Sequence, residues 1–197
     1  MKGKIVVTGG TGYIGSHTVV ELINEGYEAI IIDNLSNSSA EVLKGIAEIT
    51  GVKPIFEQFD LTDQARLTRF FESHKNIDAI IHFAASKAVG ESVQKPLLYY
   101  RNNMVSLVNI LESMQNFAVR NLVFSSSCTV YGEPDALPVT EKSPIKEASS
   151  PYGNTKQICE EIIRDTLKVT PQLSAISLRY FNPIGAHRSA LIGELPI

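Results

Sequence analysis

The sequence contains no tryptophan and only two cysteines, Cys128 and Cys159. Two cysteines cannot form the disulfide framework of a small secreted protein, so a reducing, cytoplasmic environment is expected. The chain also lacks any run of about eighteen apolar residues, so no membrane-spanning helix is expected. The apolar run at the start, in MKGKIVVTGG, is too short for a secretory signal peptide.

An excess of positive charge is also missing. The 197 residues include 18 Lys and Arg against 21 Asp and Glu, which gives a formal net charge of −3. Because no basic stripe runs along the chain, a nucleic-acid partner is not expected. The four histidines have no partner at metal-ligand spacing, so we assign no metal site. They are His17, His74, His82 and His187.

What the sequence does contain is a regular alternation of apolar runs and helical patterns. Six short apolar runs predict strands at 4–8, 28–33, 54–60, 78–85, 121–127 and 174–180. Apolar residues at helical spacing predict helices at 14–26, 39–51, 63–75, 96–117 and from 151 onwards. Strands that alternate with helices indicate an α/β fold, a doubly wound parallel sheet of the Rossmann type. The expected strand order is 3-2-1-4-5-6.

A glycine-rich turn follows the first predicted strand. In TGGTGYIGS, the glycines Gly9, Gly12 and Gly15 are spaced three apart between a strand and a helix. Glycine at such positions permits the tight turn, the approach of a pyrophosphate to the backbone, and close helix–sheet packing. The helix N-terminus then offers free N–H groups to the phosphates. The alternative is a glycine-rich turn with a purely structural role.

The second predicted strand ends at Asp33, eighteen residues after the third glycine. A carboxylate at this position accepts a hydrogen bond from a ribose 2′-hydroxyl and repels a 2′-phosphate. Asn34 supplies no compensating positive charge, so NAD(H) is favoured over NADP(H). If the glycine turn is only structural, Asp33 is an ordinary solvated carboxylate.

Two later strand ends extend the predicted cofactor site. Asp60 and Leu61 follow the third strand, near the expected position of an adenine, although DLTD is also a normal helix start. Small residues end the fourth strand, in HFAASKA, and let a cofactor lie across the sheet. Lys87 in this segment either reaches a phosphate or is an exposed loop lysine.

The fifth strand ends in three serines, and a tyrosine–lysine pair follows in SSPYGNTKQ. Ser149 or Ser150 and Pro151 predict a helix start, which places Tyr152 and Lys156 on one helix face. With Ser127, they are expected to meet beside a nicotinamide. A nearby cation favours phenolate, so Tyr152 is the candidate general base. The alternative is an ordinary surface pair.

A series of short motifs occurs in order along the chain: TGGTGYIGSHT, DNLSNS, HFAASKAVGESVQKPL, FSSSCTVYG, PYGNTK and LRYFNPIGAH. Together they resemble the extended short-chain dehydrogenase/reductase family and, within it, the UDP-glucose 4-epimerases. The resemblance covers all but the last few residues. It implies an isomerase that interconverts UDP-galactose and UDP-glucose through a transient 4-keto sugar, using bound NAD that is not consumed.

The resemblance also implies roles for particular positions. The implied cofactor contacts, in addition to the three glycines, are Tyr13, Ile14, Asp33, Asn34, Leu35, Ser36, Asn37, Ser38, Asp60, Leu61, Phe83, Ala84, Ala85, Ser86, Lys87, Asn102, Tyr152, Lys156 and Phe181. The implied catalytic residues are Ser127 and Tyr152, supported by Lys156. The implied substrate contacts are Lys87, Ser127, Tyr152 and Asn182. Cys128 stands where the family usually has alanine, and we expect it to be a small packing residue.

Three alternative functions share the fold. A sugar-nucleotide 4,6-dehydratase needs an Asp-Glu acid–base pair after the serine or threonine, where this chain has Cys128 and Thr129. A non-catalytic NAD(H)-sensing module can lose the Tyr-Lys pair, which this chain keeps. A purely structural Rossmann-type domain leaves the hydroxyl cluster unexplained.

The resemblance also bears on the end of the chain, ALIGELPI. Family members continue into a smaller domain that grips the uridine and diphosphate. We therefore expect an NAD-binding domain over 1–182 and only the start of a substrate-binding region over 183–197. On this reading, the chain alone binds NAD with little or no epimerase activity, binds UDP weakly and exposes an apolar face. A homodimer is expected for the longer form, through helices near 96–117 and 152–169.

Overall fold

A computed structural model describes residues 2–194 of the chain. The described part contains one parallel sheet, with strands β1 (Lys4–Thr8), β2 (Glu28–Asp33), β3 (Ile55–Gln58), β4 (Ala79–His82), β5 (Asn121–Ser127) and β6 (Ser174–Tyr180). The strand order is β3-β2-β1-β4-β5-β6. The predicted fold class and the predicted order are therefore confirmed.

Helices connect the strands. They are α1 (Tyr13–Asn24), α2 (Val42–Thr50), α3 (Gln64–Ser73), α4 (Val89–Gln94), α5 (Pro96–Asn116) and α6 (Pro151–Val169). Sequence analysis missed α4, because six residues are too few to show helical periodicity. It also missed a short 3₁₀ turn at Cys128–Tyr131 that directly follows β5. No helix of residues 2–194 has the length and apolar character needed to cross a bilayer.

Two predicted strands are shorter in the structure than in the sequence pattern. β3 ends at Gln58 and β4 ends at His82, so the segment Phe83–Ala85 lies outside the sheet. His82 pairs with Thr8, the last residue of β1. The Phe83 N–H still donates to the Thr8 carbonyl at 3.0 Å, but β1 ends at Thr8 and leads into the glycine-rich turn, so its pairing with the chain after β4 stops there. The small residues that follow are therefore free to line a cavity.

The sheet separates two apolar cores. On one face, Val6, Ile80 and Phe124 pack against α3, α5 and α6. On the other face, Val7 and Ile31 pack against α1 and α2. Both layers are built from the near-continuous apolar runs that a doubly covered parallel sheet requires. The carboxyl ends of all six strands lie at one edge, where the loops that follow them meet.

The start of α6 follows the sequence prediction closely. Ser150 is the N-cap, and its Oγ accepts a hydrogen bond from the Gly153 N–H at 3.2 Å. Pro151 occupies the first helical position, where a missing N–H carries no penalty. This cap fixes the first turn of α6, and Tyr152 belongs to that turn.

Candidate active site

A cavity of about 620 Å³ opens at the carboxyl edge of the sheet. Its volume falls in the range of about 300–1,000 Å³ that is usual for ligand sites. All of the sequence-predicted site residues except Leu35 line it. Its walls also include residues that the sequence analysis did not assign to the site, namely Thr11, Ile32, Phe59, Ala88, Val89, Ser106, Ser125, Ser126, Cys128, Thr129, Tyr180, Pro183, Ile184, Gly193 and Glu194.

The glycine-rich turn has little room for side chains. Gly9 has a φ of +69°, and a Cβ there would lie 2.7 Å from the Ala84 nitrogen. At Gly15, a Cβ would lie 2.1 Å from the Gly9 carbonyl oxygen. At Gly12, the N-cap of α1, the nearest atom is the Gly9 oxygen at 3.2 Å and the remaining space is open. The turn therefore presents bare backbone and the start of α1 to the cavity, which fits a pyrophosphate group.

Asp33 is buried at the end of β2 and its carboxylate is well supported. Oδ1 accepts hydrogen bonds from the Leu35 N–H at 2.9 Å and the Ser38 hydroxyl at 3.2 Å. Oδ2 accepts from the Thr11 N–H at 3.2 Å. These donors hold an anionic acceptor at the cavity wall, which fits the edge of a ribose. The hydrogen bonds from the Thr11 and Leu35 N–H groups to Asp33 were not predicted.

Leu35 is the one predicted cofactor residue that does not line the cavity. Its backbone has a φ of +60°, which turns the chain just after β2. The turn directs the Leu35 N–H back to Asp33, and the side chain does not reach the cavity. Its predicted contact with the cofactor therefore stays a prediction, and its observed contribution is to support the Asp33 carboxylate.

Asp60 links the loops after β2 and β3. Its carboxylate accepts from the Thr62 N–H at 2.8 Å, the Thr62 hydroxyl at 2.6 Å and the Asn34 amide at 2.9 Å. Burial opposes ionisation, but these hydrogen bonds outweigh it and hold the pKa of Asp60 below its usual value. The sequence also allowed Asp60 to be the N-cap of the next helix, but in the structure Asp63 caps α3. Asp60 is thus free to shape the cavity wall.

The loop after β4 is held by two asparagines of α5. The Ser86 N–H donates to Asn103 Oδ1 at 2.8 Å, and Asn102 donates to Ser86 Oγ at 3.2 Å. Asn103 also donates to the Ser86 carbonyl at 3.1 Å and to the Thr155 hydroxyl of α6 at 3.1 Å. Sequence analysis singled out Asn102 alone. Asn103 lies on the buried face of α5 with other polar residues such as Ser106 and Asn109, so its residue type alone did not single it out.

The segment 183–194 returns across the glycine-turn side of the molecule. Tyr13 donates its hydroxyl hydrogen bond to the Gly185 carbonyl at 2.6 Å. Ile192 is buried against the core beneath α2. Lys87 forms an ion pair with Glu194 at 3.3 Å, with both side chains about half exposed. Within the described residues, this segment closes one wall of the cavity, whereas 195–197 of the predicted substrate region lie outside them.

The three candidate catalytic side chains meet at the end of β5. Lys156 is buried, and its Nζ donates to the Ser125 carbonyl at 2.7 Å. The same Nζ lies 5.8 Å from the centroid of the Tyr152 ring. Ser127 Oγ accepts from the Thr129 N–H at 3.2 Å, and its hydroxyl also lies close enough to bond the Tyr152 phenol. The predicted convergence of these residues on the cavity is therefore present.

The electrostatics differ from the expectation at Tyr152. Burial raises the pKa of the phenol, and the Ser127 hydroxyl opposes that rise. Burial lowers the pKa of Lys156 to about 8, against the raising influence of Cys159 and Glu160. The expected fall in the Tyr152 pKa, which counted a bound NAD⁺ ring together with Lys156, is thus not present in the protein alone, where burial is the largest influence on the phenol.

Cys128 contradicts its predicted packing role. It follows Ser127 at the start of the 3₁₀ turn, is only half-buried and lines the cavity. The next residue, Thr129, has a buried hydroxyl without a hydrogen-bond partner in the protein. Strand β5 ends at Ser127, and the tighter turn that follows directs these two residues towards the cavity.

A buried histidine beneath the site was not predicted to belong to it. His82 ends β4, and its Nδ1 lies 2.7 Å from the Thr8 hydroxyl. Burial, with the Lys156 ammonium nearby, lowers the pKa of His82 to about 3, so the ring is neutral. Among residues 2–194, no group of three or more His, Cys, Asp or Glu side chains is arranged to hold a metal ion.

Comparison with known proteins connects this geometry with a family. The model of the NAD dependent epimerase/dehydratase family matches residues 5–194. The chain belongs to that family. The resemblance to UDP-glucose 4-epimerases is confirmed by relatives such as UDP-glucose 4-epimerase uge1 of Schizosaccharomyces pombe, 51% identical over 200 residues, and the Mus musculus UDP-glucose 4-epimerase, 51% identical over 199 residues. These matches cover 100% and 98% of the chain.

Solved structures agree with this relationship. The UDP-glucose-4-epimerase of Stenotrophomonas maltophila, solved with bound NAD and formylated UDP-arabinopyranose, matches with a TM-score of 0.95 and 47% identity over 99% of the chain. The Bifidobacterium longum UDP-glucose 4-epimerase, in complex with NAD+ and UDP, matches with a TM-score of 0.95 and 46% identity over 97% of the chain. The matched part is 57% of each solved chain and 56–57% of the two relatives. The chain therefore spans somewhat more than half their length.

Proposed function

We propose that the chain binds NAD in its cavity and forms the catalytic half of a UDP-glucose 4-epimerase. The overall reaction interconverts UDP-galactose and UDP-glucose through a transient 4-keto sugar. The observation that carries the proposal is the meeting of Ser127, Tyr152 and Lys156 in the same cavity that the glycine-rich turn lines. A base beside a dinucleotide site is what oxidation and re-reduction of a sugar alcohol requires.

The cofactor site is assigned to the residues that line the cavity. Bound NAD supplies reversible acceptance of a hydride. The backbone of the turn at Gly12 and the start of α1 hold the pyrophosphate, and Asp33 accepts from a ribose hydroxyl. We assign Asp60 to the adenine end of the cofactor and Lys156 to its nicotinamide end, and both residues line the cavity. The supported carboxylate of Asp33 disfavours a 2′-phosphate, so NAD(H) is preferred to NADP(H).

Proton transfer is assigned to Tyr152. Its phenol oxygen takes the proton from the sugar 4-hydroxyl and returns it after the sugar has turned. Ser127 bonds the same sugar oxygen and holds it near the phenol. Because burial raises the pKa of Tyr152, the phenolate needs positive charge beside it, and Lys156 is the chain's own cation within reach.

Substrate contacts are assigned to Lys87 and Asn182, which line the cavity mouth with Ser127 and Tyr152. Their positions support the proposal that residues 1–182 are the NAD-binding domain and that a substrate-binding region begins at 183. The exposed side chains of Phe181 and Ile184, 57% and 94% exposed, agree with an apolar face beside the site.

Location and assembly are also proposals. The free thiols of Cys128 and Cys159 support a reducing, cytoplasmic location. Apolar side chains on the outer face of α5, including Leu97 at 81% exposure, support pairing of the longer form through α5 and α6. Sedimentation of the longer form tests the dimer: a monomer at all concentrations contradicts it.

Two other functions remain distinguishable from the proposal. A 4,6-dehydratase needs an acid and a base where the cavity has Cys128 and Thr129, neither of which can eliminate water in that way. A non-catalytic NAD(H)-binding module has no use for the convergence of Tyr152 and Lys156. Formation of a 4-keto-6-deoxy product would favour the first, and cofactor binding without turnover in the longer form would favour the second.

The deciding experiment has two parts. Cofactor released from the purified chain by denaturation is identified, and NAD(H) is expected as the main species. UDP-galactose is then converted to UDP-glucose in assays of the chain and of a form that spans the full length of its relatives, with much the higher rate expected in the longer form. NADP(H) as the main species, or no epimerisation by the longer form, contradicts the proposal.

A further inference from the structure

A buried ion pair lies behind the catalytic residues and has no part in the proposed reaction. Glu160 of α6 pairs with Arg179 of β6 through two hydrogen bonds, from Nε to Oε1 at 2.9 Å and from Nη2 to Oε2 at 2.7 Å. Both side chains are mostly buried, 12% and 21% exposed. Such a two-pronged pair holds its partners in a defined orientation as well as in contact.

The pair also reaches β5 and the 3₁₀ turn. The Ser126 hydroxyl donates to Glu160 Oε1 at 2.5 Å. A third donor of Arg179, Nη1, reaches the Tyr131 hydroxyl at 2.9 Å, and the guanidinium lies 4.8 Å from the centre of that ring. Four elements are thus joined by one ion pair: β5 through the Glu160 carboxylate, the turn after β5 through the Arg179 guanidinium, and α6 and β6 through the pair itself.

The position of this network relates it to the catalytic residues. Ser126 pairs directly with Arg179 in the sheet and stands between Ser125, whose carbonyl binds Lys156, and Ser127. Glu160 is one helical turn beyond Lys156 on α6. Tyr131 closes the turn that starts immediately after Ser127. The network therefore fixes α6 over β5 at the level where the Lys156 ammonium enters, and it anchors the chain on the far side of Ser127.

We propose that Glu160 is a positioning residue: with Arg179 and Ser126 it holds α6 against β5 so that Lys156 and Ser127 keep their places beside Tyr152. The inference deepens the proposed function and rests on it for the chemistry that these residues perform. Glu160 itself touches neither the cavity nor the reacting atoms, since it is absent from the cavity lining.

The ionisation of Lys156 offers a readout that does not depend on activity. The charged or titratable groups around it are His82 of β4 and Tyr152, Cys159 and Glu160 of α6, with Arg179 of β6 behind Glu160. Of these, Glu160 is the carboxylate, and its charge raises the pKa of Lys156 against burial. Neutralising or displacing Glu160 should therefore lower the pKa of Lys156.

The test compares Glu160→Gln with Glu161→Gln, which removes an exposed carboxylate 3.9 Å from Arg164 on the same helix. Lysine labelled at Cε is titrated by NMR, and the Lys156 signal is identified by its loss in Lys156→Met. Glu160→Gln is expected to lower the Lys156 pKa by roughly one unit. NAD+ affinity, measured by calorimetry, is expected to fall about tenfold. Glu161→Gln should leave both values unchanged.

A merely structural role gives a different result. If folded Glu160→Gln melts at a lower temperature but keeps the wild-type Lys156 pKa and NAD+ affinity, the proposal is overturned. If Glu160→Gln does not fold, Ser126→Ala removes one hydrogen bond and keeps the ion pair. Because Ser126 also lines the cavity, only the Lys156 pKa is compared in this variant. A smaller fall is expected, and an unchanged value overturns the proposal. A wild-type chain that binds no NAD+ contradicts the proposed function, while the Lys156 titration still decides the role of Glu160.

Discussion

Substitution of alanine at Gly15 and at Gly12 should separate packing from binding within one turn. The Cβ added at Gly15 would lie 2.1 Å from the Gly9 carbonyl oxygen and 2.8 Å from Gly10 Cα. Both are backbone atoms that cannot rotate away, so the start of α1 must move by on the order of 1 Å to restore normal contacts. The Cβ added at Gly12 meets one atom, at 3.2 Å, and otherwise enters the open cavity.

The expected magnitudes follow from these contacts. Overpacking costs about 1–3 kcal/mol, and a shift of backbone rather than side chain places Gly15→Ala towards the upper end. The displaced helix start also loses one or two hydrogen bonds to phosphate, so NAD+ affinity falls by roughly tenfold to a hundredfold. Gly12→Ala should change the free energy of unfolding by less than about 1 kcal/mol but should still weaken NAD+ binding, because the new methyl group occupies space at the turn.

Urea unfolding and calorimetric titration with NAD+ measure both quantities. Gly90→Ala is the matched control. It adds a methyl group to α4 at a position where no atom lies within 4 Å, and Gly90 itself does not line the cavity. It should be neutral, or more stable by up to about 1 kcal/mol through helix propensity. Wild-type stability and affinity in Gly15→Ala, or unchanged affinity in Gly12→Ala, would refute the reasoning about this turn.

Three further results are expected. Tyr152→Phe in the longer form should lose about 10²–10⁴-fold in turnover while keeping NAD+ affinity, and near-normal turnover in a UDP-galactose assay would remove Tyr152 from the mechanism. Because burial lowers the pKa of Lys156 to about 8, its charge destabilises the fold below that pH, and the free energy of unfolding relative to Lys156→Met should rise between about pH 8 and 10.5. A flat difference across that range in urea titrations would contradict the shift. Ile192→Ala should lose about 2–4 kcal/mol, against much less for the half-exposed Leu191→Ala, and equal losses would show that 183–194 does not dock as described.

Local patterns were sufficient for the fold and for most of the cavity. The strand order follows from the alternation of strands and helices, and Gly9, Gly12 and Gly15 were readable because a strand precedes them and a helix follows. The cap at Ser150 was readable for the same reason, since its signal lies within a few residues. These features depend on neighbours in sequence, which periodicity and spacing report directly.

What escaped prediction depends on neighbours in space. Leu35 was predicted as a cofactor contact, but it does not line the cavity, and its amide supports Asp33 instead. Asn103 was not predicted as a site residue, although its side chain bonds the Ser86 backbone and the Thr155 hydroxyl of α6. At Tyr152 the sequence displays the nearby Lys156 but not the depth of burial, which raises the pKa of the phenol in the protein without its cofactor.

The three serines that end β5 show how the structure divides a motif that the sequence presents as one cluster. Phe124 and Ser126 share the strand face that packs on α6, whereas Ser127 is the last residue of the strand and caps the 3₁₀ turn that follows. Ser126 accordingly bonds Glu160, Ser127 approaches the phenol of Tyr152, and Ser125 contributes its carbonyl to Lys156. One strand end thus carries both the proposed reacting hydroxyl and the bond that holds the helix opposite it. Removing the hydroxyl of Ser127 should impair chemistry directly, whereas removing that of Ser126 should also disturb the placement of Lys156 and Ser127 by taking a hydrogen bond from Glu160.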